Sequence, residues 1–454
     1  MKNNLLIILF LFPILGISQS IKGTWEGELT IQNFKLPLIF HIDSTQNGLS
    51  ATMDSPKQGA KGIPTSQISF KENTLKIEIN QIKFEYSGKL ISTESIQGNL
   101  TQRGQSFPME LKRQTGELKT EKKPQEPNTP FPYNSEEVTF TNPNGGHQLT
   151  GTFTYPTTNK KYKTIILISG SGPQNRDEEL LGHKPFLVLS DYLTKQGYAV
   201  LRYDDRGVGK STGNFSTATS MDFATDVEAA KNYLKNRKEV ESIGLMGHSE
   251  GGMIAPIVAS RNSDIAFVVL LAGPGTPIKE LLLDQYELIA KANKLSTKDI
   301  LERKNFNANV FDLFIQQKDT NFIKNEIISE QKRLMGDKYD EEQALMIYNQ
   351  TNTPWFRYFL TFDPKVYLSQ VKCPVLAVNG SLDLQVPSEK NLNAIKEILI
   401  QSGNTNFKTI ELKKLNHLFQ KSKTGNPAEY GIIEETFSPN AMRTITEWLN
   451  NLRK

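Results

Sequence analysis

Five residues past the middle of this chain limit its architecture more than any other segment: Gly247-His248-Ser249-Glu250-Gly251. An apolar run, Ser242-Ile243-Gly244-Leu245-Met246, leads into them. Small and apolar residues, Gly252-Met253-Ile254-Ala255-Pro256-Ile257-Val258-Ala259, follow. That is the pattern of a strand, a tight turn and a helix. Glycines flank the serine because so sharp a turn leaves no room for β-carbons at those places. The pattern predicts a serine hydroxyl exposed at the carboxyl end of a strand, the arrangement called a nucleophile elbow.

A serine hydroxyl is a weak nucleophile near neutral pH. It needs a histidine to take its proton and a carboxylate to hold that histidine in one tautomer. On an elbow of this kind the partners follow in the order acid, then histidine. The chain has five histidines, His41, His147, His183, His248 and His417, and only His417 comes after Ser249. It follows the strand-like Phe407-Lys408-Thr409-Ile410-Glu411-Leu412, in a loop where a base belongs. Asp383 is the best-placed acid. It stands after the buried-strand pattern Pro374-Val375-Leu376-Ala377-Val378-Asn379 and the loop Gly380-Ser381-Leu382. The other aspartates of the interval, Asp264, Asp284, Asp299, Asp312, Asp319, Asp337, Asp340 and Asp363, lie mostly in helix-like or polar surroundings. Singly, Asp383 also reads as a turn former and His417 as a surface histidine. Order and placement together assign Ser249, Asp383 and His417 as a catalytic triad.

The tetrahedral intermediate of acyl transfer also needs two backbone donors for its oxyanion. One is the N–H of Glu250, the residue after the nucleophile. The other should come from the loop after the strand Thr164 to Ile168, which reads Ser169-Gly170-Ser171-Gly172-Pro173. Ser171 N–H is the choice; Pro173 has no N–H to offer. The Glu250 side chain receives no acid–base role. His248 reads as a structural hydrogen-bonding residue, since adjacent side chains diverge at such a turn.

Lys2 followed by an apolar run from Leu5 to Ile17, with a small-x-small ending at Gly16-Ile17-Ser18, reads as a signal peptide over 1–18. It is short for a membrane span, so export to the periplasm or the medium, without lasting membrane insertion, is expected. The remaining residues, roughly 435, suggest two domains. A net charge of +4 without strong basic clustering argues against a nucleic-acid partner. Cys373 is the only cysteine, so no intrachain disulfide can form and a buried, inert thiol is expected. The histidines show no metal-ligand spacing.

Residues 21 to 113 read as an all-β domain, a small barrel or sandwich. Short alternating runs such as Thr24 to Ile31 and Leu75 to Ile79 are punctuated by glycine and asparagine. Trp25 and His41 read as core or barrel-mouth residues. Residues 114 to 134, charged and then proline-rich, read as an extended linker that buries no apolar surface. From 135 to 454 strands alternate with helices, which argues a mostly parallel sheet with helices on both faces. A hairpin around Asn144-Gly145-Gly146 comes first. Between about 276 and 370 the alternation stops and the chain reads as helical. An insertion there would overhang the serine as a lid, with the aromatic cluster Pro354-Trp355-Phe356-Arg357-Tyr358-Phe359 contacting substrate or gluing the lid down.

Two motifs suggest a nucleotide cofactor and fail. Gly207-Val208-Gly209-Lys210-Ser211 ends like a phosphate loop, but Asp204 stands where its first glycine should be. Gly170-Ser171-Gly172 begins like a dinucleotide fingerprint, but Asn175 replaces the third glycine. No cofactor is expected.

From about residue 136 onward the chain resembles the α/β-hydrolase superfamily. Ser169 to Asp177, Asp204-Asp205-Arg206-Gly207-Val208-Gly209-Lys210-Ser211 and Gly247 to Gly252 look like the motifs of secreted bacterial carboxylesterases with a β-rich N-terminal domain. That group is related to the dienelactone hydrolases and the serine aminopeptidases. The resemblance implies an α/β-hydrolase fold and hydrolysis of short- to medium-chain acyl esters, a small-molecule substrate. It also implies that Asp177 and Arg206 order loops around the site. Ser169 stands where many relatives have histidine. A peptidase using the same triad is the competing expectation. It would need an acidic anchor for the substrate amine, for which Glu280 and Glu287 are available but unmarked. A non-catalytic binding protein is a third. The oligomeric state stays open.

Overall fold

The computed structural model describes residues 21–31, 34–45, 48–55, 60–102, 105–114, 122–158, 160–316 and 318–452. The predicted signal peptide, 1–18, lies outside them. The chain divides into two compact units, 1–119 and 120–454.

The first unit is one antiparallel sheet of nine strands: β1 (Gly23–Ile31), β2 (Phe34–Thr45), β3 (Gly48–Ser55), β4 (Ala60–Pro64), β5 (Gln67–Lys71), β6 (Thr74–Ile79), β7 (Phe84–Ser92), β8 (Ser95–Gln102) and β9 (Gln105–Arg113). The order is β4-β3-β2-β1-β9-β8-β7-β6-β5. Chain neighbours pair throughout except across β4 and β5, and β9 returns to pair with β1, so the meander curls around a single core. Alternation in each strand supplies the core: Leu75, Ile77 and Ile79 of β6 join Trp25, Phe40, Tyr86 and Leu100 inside, all of them buried. Trp25 donates its Nε1–H to Ile21 O at 2.8 Å and carries the Arg113 guanidinium 4.2 Å above its ring, so it is a core residue. His41 sits on the opposite face, bonded to Asp54 (3.0 Å) and Thr24 (3.2 Å).

The second unit contains β10 (Asn134–Thr141), β11 (Gln148–Tyr155), β12 (Tyr162–Ile168), α1 (Pro185–Lys195), β13 (Ala199–Tyr203), α2 (Ser220–Lys235), β14 (Val240–His248), α3 (Gly251–Arg261) and β15 (Ile265–Leu271). Six helices follow: α4 (Ile278–Ala292), α5 (Thr297–Ile315), α6 (Thr320–Met335), α7 (Glu341–Thr351), α8 (Pro354–Leu360) and α9 (Lys365–Leu368). The sheet resumes with β16 (Val375–Gly380), α10 (Ser388–Gln401), β17 (Phe407–Leu412) and α11 (Pro439–Asn451). Its order is β10-β11-β13-β12-β14-β15-β16-β17, and only β11 runs against the others. Counted from one within the unit, that is 1-2-4-3-5-6-7-8, the order of an α/β-hydrolase sheet.

Period-two alternation splits the strands between two cores, because both faces of a mostly parallel sheet are covered. Ile166 and Ile168 of β12, Val268 and Leu270 of β15 and Ala377 of β16 face α2, α3 and α10. Ile165, Leu167, Val269, Leu271 and Leu376 face α1 and α11. Each such Leu, Ile or Val contributes about 1.5–3 kcal/mol relative to exposure. This doubly buried sheet fixes the ends of β12, β14, β16 and β17, from which the site is built.

The predicted linker differs from expectation over its second half. Residues 122–133 belong to the second unit and bond to its later segments. Gln125 donates to Phe437 O (2.7 Å) and accepts from the N–H groups of Thr436 (2.6 Å) and Phe437 (3.0 Å). Tyr133 is buried and donates to Asp191 at 2.9 Å. Polar side chains satisfied the backbone there, which a reading of proline and charge content does not anticipate.

Candidate active site

Ser249 stands in the left-handed region, φ 52°, directly after β14. The turn is held by backbone contacts that exclude side chains. A β-carbon on Gly247 would lie 1.9 Å from Gly251 O, and one on Gly251 would lie 2.1 Å from Ile168 O. Ser249 N–H continues the ladder to Leu271 O (2.9 Å), and Ser249 O accepts from Gly252 N (2.9 Å) to begin α3.

The loops after β16 and β17 bring the other two predicted residues together. Asp383 and His417 are both buried, and His417 Nδ1 lies 2.8 Å from Asp383 Oδ2. The second carboxylate oxygen accepts from Gln385 N (2.8 Å) and Val386 N (2.9 Å), so the whole carboxylate is held by donors. The base loop is rigid. Asn416, fully buried, accepts from the N–H groups of Leu418 (3.1 Å) and Gln420 (2.9 Å), and Phe419 stacks on Phe437 at 5.2 Å. Gly380 lets the acid strand approach this loop, since a β-carbon there would meet Leu415 O at 2.2 Å.

Ser249 and His417 line one cavity of about 260 Å³. Among the described residues no hydrogen bond joins Ser249 Oγ to His417; catalytic contacts of unliganded sites often tighten only with substrate bound. Ser171 and Glu250 line the same cavity. Gly170 N–H is committed to Glu178 Oε1 at 2.7 Å, so within this loop Ser171 is the next donor available. The inserted helices close the cavity with Leu281 and Leu282 of α4 and Trp355 and Phe359 of α8, the two aromatic rings stacked at 4.9 Å.

Three side chains have roles the sequence did not disclose. Glu178 is buried in the loop before α1 and binds both Gly170 N–H and His248 Nδ1, the latter at 2.9 Å. It falls within Asp177-Glu178-Glu179, for which the sequence carries no signal beyond the loop role of Asp177, and its backbone is left-handed, φ 50°. His248 makes hydrogen bonds of the structural kind expected of it, and makes them within the site. It lines the cavity, its ring centroid lies 4.8 Å from that of His417, and its Nε2 meets His417 O at 3.0 Å. Burial pulls its basicity down, but the Glu178 carboxylate and that carbonyl raise it overall. The Glu250 side chain also turns into the cavity. Its Oε1 accepts from Ser220 Oγ (2.6 Å) and Trp355 Nε1 (2.9 Å), and the Ser171 hydroxyl bonds to it as well. Burial pushes this carboxyl above the usual range, against the lowering effect of those three donors.

Asp177 pairs with Arg202, and Arg206 donates to Asp226 (2.7 Å) and to Asp222 O (2.6 Å), so both order the framework. Ser169 donates to Asp205, a buried carboxyl held well above its ordinary range chiefly by desolvation. Glu280 and Glu287 do not line the cavity; Glu287 is held by Lys291 and Lys304, each at 2.5 Å.

The sheet order, the elbow and the acid–histidine pair at adjacent strand ends define an α/β-hydrolase. The match of residues 185–419, just over half of the chain, places it more narrowly: the protein belongs to the serine aminopeptidase (S33) family. It is similar to esterase EstD of Thermotoga maritima, 26% identical over 287 residues that make up 62% of this chain and 61% of that protein. The chain thus spans about three fifths of the length of that relative. An esterase structure from Pyrococcus furiosus overlaps 70% of this chain and 91% of its own at 16% identity, with a TM-score of 0.44. Est1E from Butyrivibrio proteoclasticus, solved with ferulic acid bound, overlaps 69% and 98% at 18% identity, with a TM-score of 0.42.

Proposed function

We propose that this protein is a serine carboxylesterase that hydrolyses short- to medium-chain acyl esters through an acyl-enzyme. The observation that carries the reading is the buried His417 Nδ1–Asp383 Oδ2 bond behind a cavity that also holds Ser249 on a left-handed turn. In this reading His417 Nε2 takes the Ser249 proton as Oγ attacks the acyl carbon. The N–H groups of Ser171 and Glu250 receive the oxyanion, and His417 returns the proton to the leaving alkoxide. Water then repeats the sequence on the acyl-enzyme. Asp383 keeps the imidazole in the tautomer with Nδ1–H and stabilises the cation formed.

Ester rather than amide chemistry is favoured by the lining. Leu281, Leu282, Trp355 and Phe359 suit an acyl chain, and the cavity is small. A peptidase reading is kept by the family's description as serine aminopeptidases. Against it, the two carboxyl side chains that line the cavity, Glu178 and Glu250, are already bonded to protein donors, and burial disfavours the Glu250 anion that an amine would need. The likeness to an enzyme named an esterase points the same way.

The test is a panel of p-nitrophenyl esters from acetate to palmitate beside aminoacyl anilides, with wild type and Ser249→Ala. Ester turnover that peaks at short chains and vanishes in the variant supports the reading. Dominant anilide cleavage moves the protein to the peptidases. Turnover on neither panel refutes both.

A further inference from the structure

We propose that Glu178 and His248 form a buried ion pair that positions the catalytic base, with His248 carrying protons on both ring nitrogens at neutral pH. The proposal rests on the assignment of Ser249 and His417 above.

His248 Nε2 lies 3.0 Å from the carbonyl oxygen of His417. A carbonyl only accepts, so Nε2 bears a hydrogen. His248 Nδ1 lies 2.9 Å from Glu178 Oε1. That same oxygen accepts from Gly170 N–H at 2.7 Å. One further proton must therefore sit between Nδ1 and Oε1. An ionised carboxylate can accept from both donors at once, and a charge-assisted bond is the stronger arrangement. With the proton on the imidazole, the pair is neutral overall and every ring nitrogen is satisfied. Both side chains are buried, so an unpaired charge on either would be costly.

The pair joins three parts of the site. Through Gly170 it holds the loop that carries Ser171. Through its own backbone His248 is the residue before Ser249. Through His417 O it fixes the backbone of the base, so that the imidazole of His417 is anchored at both its main chain and its Asp383 bond. The groups facing His248 are Glu178 from the loop before α1, His417 from the base loop and, behind it, Asp383. Those facing His417 are Asp383 and His248, with Tyr430 beyond Asp383.

Two experiments test this on the full chain. The first is nitrogen-15 NMR of histidine side chains, with the His248 signals assigned by their loss in His248→Asn. The proposal expects both His248 nitrogens protonated from pH 6 to 8; a neutral tautomer at pH 7 overturns it, whatever the enzyme's substrate. The second compares wild type, Glu178→Gln and His248→Asn in ester hydrolysis, with rates divided by sites that react with a fluorophosphonate. Expected are a fall in kcat per reactive site of about tenfold or more and a KM within about threefold of wild type. If the variants only reduce the number of reactive sites, leaving kcat per site unchanged, the pair is structural and the positioning role is refuted. Loss of turnover in wild type itself would instead count against the esterase reading, and the NMR result would still decide the protonation of the pair.

Discussion

Trp355→Phe separates the two things this residue does in the lid. The indole stacks on Phe359 and donates Nε1–H to the buried Glu250 carboxyl at 2.9 Å. Phenylalanine keeps a stacking ring and removes the donor. Glu250 retains Ser220 and Ser171. A hydrogen bond to a charged group contributes about 1.5–3 kcal/mol, and a missing partner on a buried acceptor costs a similar amount. Part of that is recovered here, because a carboxyl already pushed toward its neutral form can take up a proton. A net cost of about 1–2 kcal/mol remains, or about 5- to 30-fold. It should fall on kcat/KM for p-nitrophenyl butyrate, because the lid wall must reform around each acyl group. Thermal unfolding should shift by only a few degrees. Trp355→Leu, which removes the stacked ring as well, should lose more. If Trp355→Phe matches wild type within about twofold while Trp355→Leu does not, the Glu250 bond carries no weight in the lid and the reasoning fails.

Asp383→Asn should lower kcat by about 10⁴ through loss of the correct His417 tautomer, with the circular dichroism spectrum unchanged; a fall below about tenfold would remove Asp383 from the triad. Glu250→Gln keeps an acceptor for Trp355 and Ser220 and removes a buried charge. A folded-state affinity for protons above the unfolded value means that stability from Glu250 is full at acid pH and is lost as pH rises through the folded pKa. The variant should therefore gain stability over wild type at pH 8, with the gap closing toward pH 4, as read by Tm across pH; about 1 kcal/mol would appear as about 2–4 °C. Gly251→Ala should leave little folded protein, since its β-carbon would meet Ile168 O at 2.1 Å and the obstacle is backbone; a normally folded, active Gly251→Ala would contradict the described elbow.

The elbow was legible because its chemistry is local. Gly247 and Gly251 mark where backbones touch, and apolar runs on both sides mark a strand and a helix. The neighbourhood of Asp383 and His417 followed from strand order, since each residue comes in the loop after one of two successive strands, β16 and β17, which pair in the sheet. The joining of the first unit's strands into one sheet was not legible: it depends on β9 pairing with β1, with Gly27 opposite Leu111, which no local pattern encodes. Glu178 was hidden for a similar reason. Its partners, Gly170 and His248, are distant in sequence or bonded through the main chain. The bonding of 122–133 to later segments was missed because Gln125 and Tyr133 act through single polar bonds to residues more than fifty positions away.

Labelling of the full chain with a fluorophosphonate, followed by peptide mass spectrometry, tests the central assignment most directly. The account predicts one stoichiometric adduct, on Ser249, formed far more slowly in His417→Ala. An adduct on another residue, or equal labelling without His417, would contradict it.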